Sequence, residues 1–508
     1  MQIPFQTAAV LGAGVMGTQI AAHLANAGLT VHLLELPAKA GHKNDLVEGA
    51  FKKACKQSPP IFYSQQAIKR VILGNYEEHF DRLAGVDWVI EAVVENLAVK
   101  QELFARVERT VGPNTVIATN TSGLLIHQVA EGRSRAFKKR FLGTHFFNPP
   151  RYLKLLELIP TADTDPAVVE RVAAFGRDRL GKGIVVAKDT PNFIANRIGV
   201  FVSMLGLRSL IQGDYTIEEI DTLTGTLVGR PKSATFRTAD LVGLDTLLYV
   251  ADNLYPAIGH DERRELFQPP ELMRKLVATG TLGAKSGQGF YKKVEGEIRS
   301  LNSQTFGYDS PRPVNLGNLD GLKKHDLAER LRHLYRDRGR AGAFFRQTML
   351  ETLAYSANRI PEIADSPADI DRAMVWGFGW EIGPFAIWDA LGFDRVIQDL
   401  TQAGLTLAPW VERMRATGAT GFYNADPALA APSVYVPGES YVALDIPTNE
   451  LHLADLKDRP VLWQNSEAAL LDAGGGVALF EFRSKANTLS TKVVEGLDAA
   501  LDWLAAHD

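Results

Sequence analysis

The stretch Ala8-Ala9-Val10-Leu11-Gly12-Ala13-Gly14-Val15-Met16-Gly17-Thr18 decides the fold. A short apolar strand enters a Gly-x-Gly-x-x-Gly turn, and Thr18 to Ala27 continues as a helix ended by Gly28. In such a turn Gly12 permits the sharp bend, Gly14 lets backbone approach a pyrophosphate, and Gly17 lets the helix pack closely on the strand. The helix N-terminus favours the phosphate charge. Val31-His32-Leu33-Leu34-Glu35 reads as the next strand, with Glu35 at its end. A carboxylate there accepts hydrogen bonds from ribose hydroxyls and repels a 2′-phosphate, which favours NAD over NADP.

Working outward, strand-like and helix-like segments alternate to residue 188. Trp88 to Ala92, Val116 to Asn120, Phe141 to Phe147, Leu155 to Ile159 and Gly183 to Ala187 are further strands. This alternation predicts a Rossmann-type, doubly wound parallel sheet covered on both faces. Pro191 marks a boundary, after which Ile194, Ile198, Phe201, Val202 and Leu205 fall at helical spacing.

The helical part carries an internal repeat. Phe236-Arg-Thr-Ala-Asp-Leu-Val-Gly-Leu-Asp245 matches Phe385-Ala-Ile-Trp-Asp-Ala-Leu-Gly-Phe-Asp394. Each copy follows an Ile-Asp pair (220–221, 370–371) and later reaches a Gly-Phe-Tyr (289–291, 421–423). Duplicated units of this kind usually pack on each other. The expected organisation is an NAD-binding domain at 1–188, a first helical domain at 189–292, a polar, turn-rich linker at 293–328 and a second helical copy at 329–427. Residues 428–508 are a linker, irregular to 460, and the start of a further α/β segment: a strand at Gly476–Phe482 and a helix at Thr491–Ala506. So short a strand–helix remnant buries little surface.

Composition narrows the function classes. The chain has 508 residues, 46% hydrophobic and 22% charged, with a net charge of −4, which gives no support for nucleic-acid binding. No stretch approaches the ~20 apolar residues of a membrane span. The one cysteine, Cys55, excludes an intramolecular disulfide and fits a reducing cytoplasm. It reads as a plain helix residue whose neighbouring lysines lower its pKa somewhat. Gly280 to Ser286 echoes a phosphate-binding loop but lacks its spacing, and Gly474-Gly475-Gly476 precedes a strand rather than following one, so both read as turns. No cysteine–histidine cluster has zinc spacing.

The chemistry concentrates in Thr144-His145-Phe146-Phe147-Asn148-Pro149 and in Glu157. His145 ends a strand-like run, where ligands bind in doubly wound sheets. Glu157 lies in the apolar run Leu155 to Ile159, where a buried carboxylate needs a partner. A pair between them fixes one imidazole tautomer, as a general base requires. A structural ion pair is the other reading. With the nucleotide turn, the pair points to proton abstraction from a hydroxyl coupled to hydride transfer onto a nicotinamide.

Several motifs together carry a family resemblance: Gly12 to Gly17; Glu91-Ala92-Val93-Val94-Glu95-Asn96 with Lys100; Asn120-Thr121-Ser122; His145 to Pro149 with Glu157; and Pro191-Asn192-Phe193-Ile194-Ala195-Asn196-Arg197. Over roughly residues 5–425 the chain resembles the 3-hydroxyacyl-CoA dehydrogenases of fatty-acid β-oxidation. The resemblance implies that His145 takes the proton of the substrate 3-hydroxyl and that Glu157 orients and steadies the imidazolium. It implies that Ser122 and Asn196 hydrogen-bond the substrate, and that Met16, Glu35, Val94, Glu95, Lys100, Ser122 and Asn148 line the NAD site. It implies an acyl-CoA substrate, with the second helical copy packed on the first like an internal pseudo-dimer and the chain a monomer or homodimer. Lys52, Lys53 and Lys56 are candidates for the CoA phosphates, and equally read as a solvated helix face.

Residues 462–508 resemble the opening of an enoyl-CoA hydratase (crotonase-like) domain, as in multifunctional β-oxidation proteins. They stop before that family's oxyanion loops and catalytic glutamates, so a fragment without hydratase activity is expected, with hydratase and thiolase as partners. Two other readings are a sugar-acid (gulonate-type) dehydrogenase of the same fold and a non-catalytic NAD-binding scaffold.

Overall fold

Apolar runs too short for helices build the sheet that positions the site. Its strands are β1 (Thr7–Leu11), β2 (Thr30–Glu35), β3 (Val71–Asn75), β4 (Trp88–Glu91), β5 (Val116–Thr119), β6 (Phe141–Phe146), β7 (Leu155–Pro160) and β8 (Gly183–Val186). They lie in the order β3-β2-β1-β4-β5-β6-β7-β8. The computed structural model describes residues 5–424, 432–446, 456 and 459–507. Helices cover both sheet faces, so β4, β5 and β6 are buried throughout.

β1 to β6 are mutually parallel, as the alternation predicts. β7 reverses: it is antiparallel to β6, and β8 runs parallel to β7. The link from Phe146 to Leu155 is too short for the crossover that a parallel neighbour requires, so the chain turns back. This corrects the expectation of a wholly parallel sheet. β3 was not foreseen; it is a short edge strand whose Gly74 and Asn75 interrupt the apolar pattern.

The duplication reappears bond for bond. In the first copy the Asp240 carboxylate accepts from the Phe290 and Tyr291 amides, and the Tyr291 hydroxyl donates to Asp221. In the second the Asp389 carboxylate accepts from the Phe422 and Tyr423 amides, and the Tyr423 hydroxyl donates to Asp371. Asp221 and Asp371 also accept amides from the helices that open at Phe236 and Pro384. Each copy is therefore tied shut by one buried carboxylate, one half-buried carboxylate and one tyrosine.

The copies pack on each other. Phe201 of the helix Ala195–Gln212 stacks on Tyr355 of the helix Arg340–Asn358, with centroids 3.9 Å apart. Beside them the buried Arg197 donates to Asp261, Glu362 and the Tyr355 hydroxyl, and Arg359 also reaches Asp261. A buried carboxylate with this many donors avoids the cost of an unpaired charge.

Burial pushes the carboxyls of Asp371 and Asp389 up, to about 7 and about 6, against the donors facing them. The folded copy then retains protons that the unfolded chain has lost above pH ~4. Stability from these groups is full at low pH and lost as pH rises through 6 to 7. Burial first, then the Lys182 charge, lowers His23 to about 3, and it acts oppositely, stabilising as pH rises to about 6.5. Amide exchange in Pro384–Leu391, corrected for its intrinsic pH dependence, should lose protection between pH 5 and 8. Constant or growing protection there would show these carboxyls to be ionised throughout.

Two segments are more ordered than their sequences suggest. The expected linker 293–328 contributes to a three-stranded antiparallel sheet (Tyr291–Val294, Glu297–Leu301, Tyr308–Asp309), whose short, half-buried, charge-bearing strands lack apolar alternation. In the expected irregular stretch 428–460, residues 428–431, 447–455 and 457–458 lie outside the described residues, and Ser433–Val436 and Ser440–Ala443 are strands.

The chain divides into two compact units, Met1–Val442 and Ala443–Asp508. The second is larger than a strand and a helix. Val461–Gln464, Ala468–Gly474 and Val477–Phe482 form an antiparallel sheet with the helix Thr491–Ala506. Gly474 to Gly476 is its hairpin turn; it follows a strand as well as preceding one. Among the described residues no helix is long and apolar enough to cross a membrane.

Candidate active site

The parallel strands end on one edge, and the sequence-predicted residues collect there. The strand order reverses between β1 and β4, the switch point where doubly wound sheets bind ligands. Gly12 leaves β1 at φ +100°, and a Cβ there would lie 2.7 Å from the Ala92 carbonyl oxygen. A Cβ on Gly17 would lie 1.8 Å from the Gly12 carbonyl oxygen, so the helix Val15–Asn26 can start here only on glycine. Gly14 has nothing within 4 Å of its Cβ position: it faces open space at a helix N-terminus with no acidic residue in its first turn. That is the cradle a pyrophosphate needs. The Glu35 carboxylate accepts from the Ala13 amide (2.6 Å) and from its neighbour Leu36 (2.8 Å), which fixes it beside the turn. Met16 packs partly into the sheet core, and Val94 is exposed. The site therefore fits NAD.

The loop after β4 is built on buried charge. Lys100 donates to Glu91 at 2.6 Å and lies 3.3 Å from Glu95. Glu91 also accepts from the Val93 amide and the Thr119 hydroxyl. Glu95 accepts from the Thr121 hydroxyl and from the Ser122 and Gly123 amides. Burial alone would raise the Glu95 carboxyl, but Lys100 and these donors outweigh it and hold it below the ordinary carboxylate value. Lys100 and Glu95 thus shape the Thr121–Gly123 turn that presents Ser122. The Ser122 hydroxyl itself has no protein partner among the described residues. From the first helical copy the Tyr249 hydroxyl donates to the Glu95 carbonyl at 2.7 Å.

His145 and Glu157 stand directly opposite each other in the β6–β7 register. His145 Nδ1 meets Glu157 Oε2 at 2.7 Å. A carboxylate oxygen only accepts, so Nδ1 carries the proton and Nε2 keeps its lone pair. Glu157 is fully buried, and its other oxygen accepts from the Ile194 and Ala195 amides at 3.2 and 2.9 Å. These amides open the helix Ala195–Gln212, whose N-terminal partial charge also favours the carboxylate. The imidazole packs between Phe147 and Phe193, with centroids 4.5 and 5.5 Å away.

Sequence reasoning did not find the support beneath this pair. Asn192 and Phe193 both adopt left-handed backbone, φ 63° and 50°, which turns the next two amides onto Glu157. Asparagine tolerates that region, whereas phenylalanine there costs of order 1–3 kcal/mol. A Cβ on Gly123 would lie 3.1 Å from Asn192 Oδ1, so the Ser122 turn adjoins the helix start that carries Asn196. The Asn196 amide has no protein partner among the described residues. Asn120 Oδ1 accepts from the Phe146 amide, pinning the end of β6. Asn148 is exposed just beyond it. Lys52, Lys53 and Lys56 are exposed, and burial pushes the Cys55 thiol up, contrary to the expected effect of those lysines. Among the described residues no group of three metal-ligating side chains comes together.

An open dinucleotide cradle and an oriented imidazole thus lie on one sheet edge. Residues 7–190 match the NAD-binding domain of 3-hydroxyacyl-CoA dehydrogenase, and residues 193–293 match its C-terminal domain. A probable 3-hydroxyacyl-CoA dehydrogenase of Bacillus subtilis is 42% identical over 97% of this chain, which spans 64% of that relative's length. One of Deinococcus radiodurans is 47% identical over 57% of the chain and 83% of its own length. The crystal structure of a 3-hydroxybutyryl-CoA dehydrogenase from Escherichia coli K12 superposes with a TM-score of 0.61 at 22% identity, covering 82% of this chain and 99% of that one, so it shares the fold. The chain belongs to the 3-hydroxyacyl-CoA dehydrogenase family.

Proposed function

We propose that the protein is an NAD-dependent (S)-3-hydroxyacyl-CoA dehydrogenase of cytoplasmic fatty-acid β-oxidation. The observation that carries the reading is the His145–Glu157 pair, with Nδ1 held by the carboxylate and Nε2 left as the base. NAD, held at the Gly12–Gly17 turn and Glu35, would supply the hydride acceptor for substrate C3. His145 Nε2 takes the proton of the 3-hydroxyl, leaving a 3-ketoacyl-CoA, and Glu157 steadies the resulting imidazolium. Ser122 and Asn196, whose polar ends lack protein partners, hold the substrate oxygen and thioester region. Glu35 binds the ribose, and Val94, Met16 and Asn148 line the cofactor. Lys100 and Glu95 act at one remove, by fixing the loop. In this reading the chain has the five-part organisation read from the sequence, and its crotonase-like tail is the link to hydratase and thiolase partners.

The test is loss of NADH absorbance with purified protein and acetoacetyl-CoA, repeated with NADPH. Rapid loss with NADH and little with NADPH is the expected result. No loss with this or with longer 3-ketoacyl-CoAs, despite measurable NADH binding, would sink the acyl-CoA reading and bring sugar acids forward.

A further inference from the structure

We infer that the second helical copy is part of the active site: Phe378 is a positioning residue that holds Phe147, and through it the His145 imidazole. The inference rests on the proposed role of His145. It starts from Trp376-Gly377-Phe378, the end of the helix Pro367–Phe378 in the second copy. This tripeptide wedges between the sheet and the helix Ala195–Gln212, and a glycine at each meeting point makes room for it. A Cβ on Gly183, at the start of β8, would lie 2.3 Å from the Trp376 ring. One on Gly199, in the helix, would lie 2.0 Å from Phe378 Cζ. One on Gly377 itself would lie 2.7 Å from Leu155 Cδ2 and 3.5 Å from Phe147 Cε1. Both aromatic side chains therefore rest on positions where any larger residue would displace them.

The wedge ends at the chemistry. The Phe378 ring meets Phe147 edge-on at 6.4 Å, and Phe147 lies 4.5 Å from the His145 ring. The hydrogen bond to Glu157 fixes one ring atom, while the χ2 torsion of a histidine is broad. The tilt of the ring, and so the aim of Nε2, is set by the faces packed on it. Phe193 packs on the ring from the first copy, and Phe147, backed by Phe378, packs on it more closely.

The second copy also grips the hinge between sheet and helices. The Lys188 amide donates to the Ile363 carbonyl, and its ammonium donates to the Pro361 carbonyl and Asp365. Glu362 accepts from Arg197, next to Asn196. The site thus has support from both copies, and the duplication does more than provide an assembly face.

The test compares Phe378→Ala with Met414→Ala, a core truncation elsewhere in the second copy where the side chain is fully buried. Misplacing a reacting group by 1 Å costs up to about 100-fold, so Phe378→Ala should lose about 10- to 100-fold in kcat. KM and NADH affinity should stay within about twofold, because the groups assigned to substrate and NAD are intact. Phe378→Leu should recover most of the rate, and Gly199→Ala, which crowds the same ring from the other side, should reproduce the loss. Met414→Ala should keep wild-type kcat even if it melts earlier.

A second readout does not need turnover. In 15N-histidine spectra the wild-type His145 imidazole should show one ordered tautomer, and Phe378→Ala should shift or broaden it. If Phe378→Ala does not fold, both readouts are taken on Gly199→Ala, where the same loss is expected, with Phe378→Leu as the near-wild-type comparison. Wild-type kcat and an unchanged His145 signal in a folded variant would overturn the inference, as would an equal kcat loss in Met414→Ala. If the wild type oxidises no 3-hydroxyacyl-CoA, the proposed function fails, and the imidazole signal still decides whether Phe378 positions His145.

Discussion

His145→Gln is expected to abolish turnover while leaving NADH binding intact. General-base catalysis contributes typically 10²- to 10⁴-fold, and an amide cannot take the hydroxyl proton, so kcat should fall by about that factor. The substitution is chosen to keep the fold. Glu157 is buried without exposure, and its Oε2 has His145 as its partner. A glutamine amide still donates to that oxygen, whereas alanine would leave it unpaired at a cost of about 1–3 kcal/mol, more if it stays charged. NADH affinity should be unchanged because Glu35 is held by the Ala13 and Leu36 amides and His145 by Glu157, with no hydrogen bond between the two groups. Fluorescence titration of NADH and initial rates with acetoacetyl-CoA check the two halves. A rate within tenfold of wild type would remove His145 as the base. Loss of turnover and NADH binding together would make it a structural residue.

Much of this site was legible because its signals are local. Gly12, Gly14 and Gly17 sit between a strand and a helix, and Glu35 ends the following strand, so spacing alone places them at one turn. The His145–Glu157 pair could be read because an apolar run holding one carboxylate is costly without a partner. The repeat was legible as well, and its aspartates and tyrosines proved to be the bonds that close each copy.

What stayed hidden depends on contacts far apart in sequence. Nothing near Glu157 reveals that the amides of Ile194 and Ala195 arrive from the next domain. Phe193 in left-handed backbone runs against its own preference, so no propensity argument predicts it. Lys100 reads as a cofactor ligand by motif, yet its ammonium meets Glu91 and Glu95 inside the loop. Trp376 and Phe378 look like ordinary core aromatics until Gly183 and Gly199 are seen beneath them. Val477–Phe482 of the second unit was legible, but its neighbour Ala468–Gly474 was not, because it mixes small residues with Asp472 and shows no strict alternation.

Glu157→Gln should be nearly as inactive as His145→Gln, for a different reason. One Glu157 oxygen faces two backbone donors, the Ile194 and Ala195 amides, and the other faces His145 Nδ1. A glutamine has one oxygen and one NH2. If its oxygen serves the two amides, its NH2 points at Nδ1, which must then accept. The imidazole proton moves to Nε2, and the lone pair needed for the substrate hydroxyl is gone. If the side chain flips, the tautomer is kept, but NH2 faces two N–H groups and two buried donors go unsatisfied, at about 1–3 kcal/mol each. The first arrangement keeps every hydrogen bond and should dominate. The variant should therefore melt close to wild type while losing about 10⁴-fold in kcat, the factor known for the same carboxylate-to-amide change behind a serine-protease histidine. Glu157→Ala supplies the contrast: it strips the partner from three donors at once and should melt well below both. Calorimetry and initial rates on the two variants separate these effects. An active Glu157→Gln would mean that Nδ1 keeps its proton without the carboxylate, and that Phe147 and Phe193 alone orient the base.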